Sequence, residues 1–154
     1  MPRDVSVTVG AHLFNLRVAA IIRRQGNVLV NRLRDQDFWF LPGGRVQEGE
    51  ATREALLREL REELGAECRA HRPVFFHENF FRHDGKRFHE VCVYYDVELP
   101  PDAATLSDVS AADGGIDLEW LELTQLSSIN LQPPFLPSRL QTLPLGLEHV
   151  VSRN

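Results

Sequence analysis

The sequence predicts a mixed α+β domain, and three observations carry that expectation. Apolar and β-branched runs recur between turn signals, one stretch keeps a helical period, and a Gly-rich segment leads straight into that stretch. Residues 13–33 are rich in aliphatics and broken by Gln25-Gly26-Asn27, which reads as two strands joined by a tight turn with Gly26 at a positive-φ position. Phe38-Trp39-Phe40-Leu41 is a short apolar run that Pro42-Gly43-Gly44 is expected to end. From Ala51 to Leu64, Leu56, Leu60 and Leu64 fall on one stripe widened by Leu57, and Gly65 stands where a left-handed helix terminator belongs. Residues 73–81 and 88–99 read as strands around the hairpin turn His83-Asp84-Gly85-Lys86. Residues 100–115 read as loop and 116–123 as a strand, and the proline-bearing tail is expected to hold one short helix near 137–143.

A length of 154 residues suits one domain, spanning 1–154, that buries a core without disulfides or a structural metal. With 43% hydrophobic and 25% charged residues, the composition is that of a soluble globular protein, not a disordered or fibrous one. The net charge of −5 argues against a nucleic-acid polymer as partner, because backbone binding leaves a basic footprint. A small anionic substrate remains compatible with that charge if a cation mediates. Cys68 and Cys92 make no C-x-x-C pair and are expected to be reduced thiols. Residues 1–10 lack a signal-peptide core and no segment approaches a membrane span, so a cytoplasmic protein without a membrane partner is expected.

The segment from Gly44 to Gly65 carries the chemistry. Glu59, Glu62 and Glu63 stand at i, i+3 and i+4, so their carboxylates gather on one helix face. They sit in the last turns, where the helix dipole disfavours anions, and Glu59 and Glu63 form a like-charge pair costing a few tenths of a kcal/mol. Arg58 and Arg61 supply two cations against three acids. The cluster therefore calls for a further cation, and hard oxygen ligands select Mg2+ or Mn2+, which recruit substrate phosphate oxygens. Taken alone, three glutamates would read as a solvated helix face.

The rest of the segment outweighs that reading. Gly44, Glu50, Arg58, Glu59, Leu60, Glu62, Glu63 and Gly65 fit the spacing G-x5-E-x7-R-E-U-x-E-E-x-G-U, where U is a bulky aliphatic. Accidental agreement is on the order of one in 10^8 to 10^9 at average residue usage. The segment resembles the signature of the Nudix hydrolases, and Trp39-Phe40-Leu41-Pro42-Gly43 is similar to the family's approach to it. One departure is Ala66 at the final aliphatic position, which weakens a packing contact rather than the chemistry.

The resemblance implies an α/β/α sandwich on a mixed sheet and Mg2+-dependent substitution by water at phosphorus, with Mn2+ able to replace Mg2+. It implies Glu59 and Glu63 as direct metal ligands, Glu62 as a further ligand or the base, and the Gly44 carbonyl as another ligand. Arg58 is implied to position a neighbouring glutamate, Glu50 to brace the loop–helix join, and Gly43, Gly44 and Gly65 to let the backbone turn. Relatives often take another acid from a downstream loop, which makes Asp102, Asp108 and Asp113 candidates. Arg17, Arg32, Arg45, Arg82 and Arg87 are candidates for phosphate, against the ordinary reading of a surface arginine. Phe80, Phe81, Tyr94 and Tyr95 are candidates for stacking on a base, although strand aromatics are more often core. His77 and His89 are more often satisfied strand histidines than catalytic ones.

Substrate marks of several subfamilies are absent: no proline in Asn79-Phe80-Phe81-Arg82, no tyrosine in Arg82-His83-Asp84, and no coenzyme A pattern in Asn31-Arg32-Leu33-Arg34. The expected substrate is a small nucleotide diphosphate compound, foremost a nucleoside di- or triphosphate. ADP-ribose or a nucleotide sugar is the alternative. A non-catalytic nucleotide sensor is the competing class, set against the complete set of box glutamates. A non-hydrolytic relation such as an isopentenyl-diphosphate isomerase is disfavoured for the same reason. Homodimers are frequent in the family, and these residues fix no oligomeric state.

Overall fold

The computed structural model describes residues 1–103 and 116–154; Asp108 and Asp113 lie outside the described residues. Strands β2 (His12–Arg24) and β3 (Asn27–Leu33) follow from the first apolar stretch. Gln25 and Gly26 between them both take positive φ, 52° and 80°, as a tight hairpin turn requires. Strands β5 (Arg69–His83) and β6 (Lys86–Glu98) form the second hairpin, turned at Asp84 and Gly85 with φ of 51° and 77°. β5 begins earlier than the apolar run suggests and passes Pro73 through register shifts on either side, which accommodate a residue without an N–H.

β6 lies parallel to β2, and strand β8 (Glu148–Arg153) lies parallel to β5. With β7 (Ile116–Glu122) on β3, the mixed sheet has the order β7-β3-β2-β6-β5-β8. The other edge of β2 is shared in turn by β1 (Ser6–Val9), β4 (Gly43–Arg45) and the first residues of β3. That shared edge is what brings the Gly-rich segment onto the sheet.

β2 is buried on both faces, which explains its unbroken apolar reading. Val18, Ala20 and Ile22 face helix α1 (Thr52–Leu64), where Ala55, Leu56, Leu60 and Leu64 pack with Val46, Tyr95 and Val97. Each buried leucine contributes about 1.5–3 kcal/mol of transfer free energy. Ala19 and Ile21 face the opposite layer with Phe75, Cys92 and Tyr94. That layer is closed by Leu126, Leu131, Leu136 and Leu140, drawn from a 3-10 helix at Leu123–Ser128 and the irregular chain after it.

The α+β sandwich expected from the sequence is thus present, with two local corrections. Pro42-Gly43-Gly44 was expected to end regular structure, but Gly43 and Gly44 form β4 against Ala19 and Val18. A Cβ on Gly43 would lie 2.8 Å from the Ala19 Cα and collide with the Val18 carbonyl, so glycine is what allows the strands to meet. Gly43→Ala is expected to lower unfolding free energy by about 1–3 kcal/mol, read by denaturant titration, because the clash is with backbone that cannot turn aside. The short helix expected near 137–143 is replaced by turns such as Leu136 N–H to Pro133 O, 3.1 Å, and Arg139 N–H to Leu136 O, 2.9 Å. Prolines 137 and 144 leave too little chain between them to nucleate a helix. Strands β1 and β8 were not expected at all. Both thiols, Cys68 and Cys92, are free, as expected. Among the described residues no helix is long and apolar enough to cross a membrane.

Candidate active site

Helix α1 starts without a side-chain cap from Ala51; instead the Glu54 carboxylate accepts the Ala51 N–H at 2.8 Å. It ends where the Gly65 N–H reaches the Arg61 carbonyl at 2.9 Å, with Gly65 in the left-handed region at φ 64°. Between these ends Arg58 organises the acidic face. Its Nε and Nη2 donate to the two oxygens of Glu50 at 2.7 and 3.0 Å, a bidentate pair. Its Nη1 donates to Glu59 Oε1 at 3.0 Å and lies 3.6 Å from Glu62 Oε2. Its Nη2 also reaches the Arg45 carbonyl at 3.1 Å, and Glu50 Oε1 accepts the Gln47 N–H at 2.8 Å. One guanidinium therefore ties the loop 45–50 to the helix.

The consequences differ for each acid. The Arg58 hydrogen bond, helped by the Gln47 N–H, holds the Glu50 carboxyl below its usual range. Glu59 moves the other way: burial raises it, and Arg58 offsets only part of that penalty. A half-buried carboxylate that resists ionisation favours a cation beside it. Glu63 lies one turn beyond Glu59 on the same helix face.

The Gly44 backbone lies against Glu59: an added Cβ would sit 2.5 and 2.7 Å from the Glu59 oxygens. The Glu59 carboxylate held there is a hard oxygen donor, which fits Mg2+ or Mn2+ in donor type. Among the described residues no three acidic, histidine or cysteine side chains are already gathered at metal-binding positions. Arg58 engages Glu59 at 3.0 Å and lies 3.6 Å from Glu62, which is 60% exposed.

The NUDIX domain family model matches residues 13–144. The chain belongs to the NUDIX family. It is 47% identical over 55 residues to the CTP pyrophosphohydrolase of Escherichia coli (strain K12), covering 33% of this chain and 41% of that protein. It is 42% identical over 60 residues to the RNA pyrophosphohydrolase of Wolbachia pipientis, covering 38% of this chain and 32% of that protein. The match thus spans less than half the length of either relative. The solution structure of the E. coli ORF135 protein superimposes with a TM-score of 0.54 at 28% identity, over 85% of this chain and 89% of that one. An ADP-ribose pyrophosphatase from Streptococcus suis shares the fold, with a TM-score of 0.61 at 15% identity over 88% and 98% of the two chains.

In this NUDIX chain the remaining candidates are dispersed. Arg17 acts electrostatically on Glu59 and lines a small cavity of about 90 Å³. Arg32 pairs with Asp117 at 3.4 Å and lies 4.6 Å above the Trp39 ring, and Arg45 pairs with Asp4 at 3.7 Å. Arg82 and Arg87 are exposed cross-strand neighbours at the hairpin end. Phe81 stacks on Phe88 at 4.9 Å, and Phe80 packs on His89 at 4.5 Å. Tyr94 is buried in the layer opposite α1, whereas Tyr95 is buried beneath α1 and meets Thr52 Oγ1 at 2.7 Å. Asp102 is exposed. A larger hollow of about 770 Å³ opens by the β2–β3 turn between Arg23, Arg24, His71 and Glu98, and none of the box residues lines it.

The small cavity also holds residues that sequence reasoning passed over, Asn79 and Glu90, next to His77. The available signal was polar residues at inward positions of otherwise apolar strands. His77 is fully buried, with Nε2 2.8 Å from Ser152 Oγ, and burial lowers its pKa from 6.5 to about 4. Because the unfolded chain takes the proton first, the stability from neutral His77 is complete above pH 6.5 and lost as pH falls toward about 4. Between those limits wild type is expected to lose up to about 1.4 kcal/mol per pH unit more than His77→Gln, in parallel denaturant titrations.

Proposed function

We propose that the chain is a Mg2+-dependent pyrophosphohydrolase that cleaves the phosphoric anhydride of a nucleoside di- or triphosphate by water attack at phosphorus, with Mn2+ as a substitute. The observation that carries this reading is the complete box from Gly44 to Gly65, folded so that the half-buried Glu59 lies against Gly44 while Arg58 locks Glu50 and Glu59 together. The activities of the relatives, a CTP and an RNA pyrophosphohydrolase, support anhydride hydrolysis. The net charge of −5 favours a small nucleotide over the RNA polymer.

Glu59 and Glu63, with the Gly44 carbonyl, would hold the metal, and exposed Glu62 would complete the set or take the proton from the attacking water. When bound, the metal lowers the pKa of that water and offsets charge on the departing phosphate. Arg58 keeps the Glu59 carboxylate oriented, and Arg17, close enough to act on Glu59, is placed to meet a phosphate. The reading places a single domain over residues 1–154 in the cytoplasm.

The test is a panel of nucleoside di- and triphosphates, ADP-ribose, nucleotide sugars, dinucleoside polyphosphates and a 5′-triphosphorylated RNA, assayed with Mg2+ and with Mn2+. Metal-dependent release of nucleotide and phosphate or diphosphate from the nucleoside phosphates is the expected result. Binding of nucleotides without turnover of any compound would overturn it in favour of a sensor.

A further inference from the structure

A polar patch inside the layer opposite α1 is not needed to build the carboxylate site. The register sets Arg17, Cys92 and His77 in one row across β2, β6 and β5, and Asn15, Glu90 and Asn79 in the next. Both rows face the core formed by Phe75, Tyr94 and Leu131, an apolar setting in which polar atoms need partners. Three atoms there have none: His77 Nδ1, Asn79 Oδ1 and Asn15 Oδ1. His77 is fully buried and Asn79 is 9% exposed, and both line the small cavity with Glu90, Phe40, Leu41 and Gln132. Two of these atoms, His77 Nδ1 and Asn79 Oδ1, belong to residues that line the cavity and are available to a ligand there.

We propose that this cavity reads the base of the nucleotide, with Glu90 and Asn79 accepting hydrogen bonds from an exocyclic amine, and so selects cytosine over uracil nucleotides. The inference rests on the nucleotide reading given above. Three observations define the chemistry. Asn15 Nδ2 donates to Glu90 Oε2 at 3.0 Å, which fixes the Asn15 oxygen as an acceptor and keeps Glu90 facing its partner across the strands. An ionised carboxylate only accepts, and pairing of Glu with the cytosine amine is an established mode of base reading. The cavity, about 90 Å³, is lined on its apolar side by Phe40, Leu41 and Pro133, a setting for the face of a base whose polar edge meets Asn79 and Glu90.

The position is also right for a nucleotide. Arg17 lines the cavity and acts on Glu59, and the strand residues that follow it, Val18 and Ala19, pair with Gly44 and Gly43. The phosphates of a base held there are placed by this reading at the β2–β4 edge, where Gly44 meets Glu59. Uracil presents O4 where cytosine presents its amine, and that oxygen would face the Glu90 carboxylate without a proton between them.

The experiment pairs binding with turnover. Affinities for CMP and UMP are measured by calorimetry without turnover, and kcat/KM for CTP and UTP is measured for wild type and Glu90→Gln. The expected result is a preference of about tenfold or more for the cytosine member in both assays. Glu90→Gln, which offers an N–H to O4, should bring the CTP-to-UTP ratio near one. A ratio within one sample does not depend on how much of the variant is folded, so a damaged fold cannot imitate the result. Equal binding of CMP and UMP, or an unchanged ratio in Glu90→Gln, would overturn the base assignment. Turnover of all nucleoside triphosphates with equal ratios sinks this inference alone. Base-selective binding with no hydrolysis would keep it and overturn the hydrolase reading.

Discussion

Gly44→Ala is expected to cut metal-dependent turnover about a hundredfold while leaving the unfolding midpoint nearly unchanged. The two halves of that result have one cause. The atoms nearest the new Cβ would be the end of the Glu59 side chain, with its oxygens at 2.5 and 2.7 Å. A flexible carboxylate can swing away at small cost to the fold, so stability is largely preserved. In swinging away it leaves the position that Arg58 and the Gly44 backbone define, and a displacement of about 1 Å in a reacting constellation can cost about a hundredfold. The contrast with Gly43→Ala is informative, because there the collision is with strand backbone and the loss falls on stability. Steady-state kinetics and a denaturant titration on both variants separate the effects.

Arg58→Ala is expected to lower unfolding free energy by about 3 kcal/mol and to depress turnover as well. Arg58, Glu50 and Glu59 have side chains only 18–19% exposed, so removing the guanidinium strands two carboxylates in a poorly solvated place. It also removes the bond to the Arg45 carbonyl that ties the loop to α1. Arg58→Lys keeps the charge but cannot pair bidentately with Glu50, and should fall between wild type and Arg58→Ala in both assays.

The parts of the structure that local pattern dictates were legible in the sequence. Leu56, Leu60 and Leu64 gave the helix because their period is the period of the buried stripe, and Gly65 ended it. Gln25-Gly26 and Asp84-Gly85 gave both hairpins because their positive φ values are carried by the local residues themselves. The acidic face of α1 was legible for the same reason: i, i+3 and i+4 spacing is geometry once the helix is granted.

Long-range partners were not legible. β4 exists because Gly43 can lie against Val18 and Ala19, and no local signal names that neighbour. β8 is short and takes its register from β5, 73 positions earlier than its own residues in pairs such as His77↔Val150 and Asn79↔Ser152. The partners of Arg32 and Arg45, candidates for phosphate against the ordinary reading of a surface arginine, are Asp117 and Asp4, which no local signal names. Asn79 and Glu90 were overlooked because their significance depends on a cross-strand register with each other and with Asn15.

The most direct test of the account is turnover of a nucleoside triphosphate by Glu63→Gln at saturating Mg2+, beside wild type, with Mn2+ binding measured on both. The substitution keeps the shape of the side chain and removes its charge, so a folded variant isolates the carboxylate's contribution. The account predicts a loss of about a hundredfold or more in turnover, together with weakened Mn2+ binding. A folded Glu63→Gln that retains near wild-type turnover and metal affinity would contradict it.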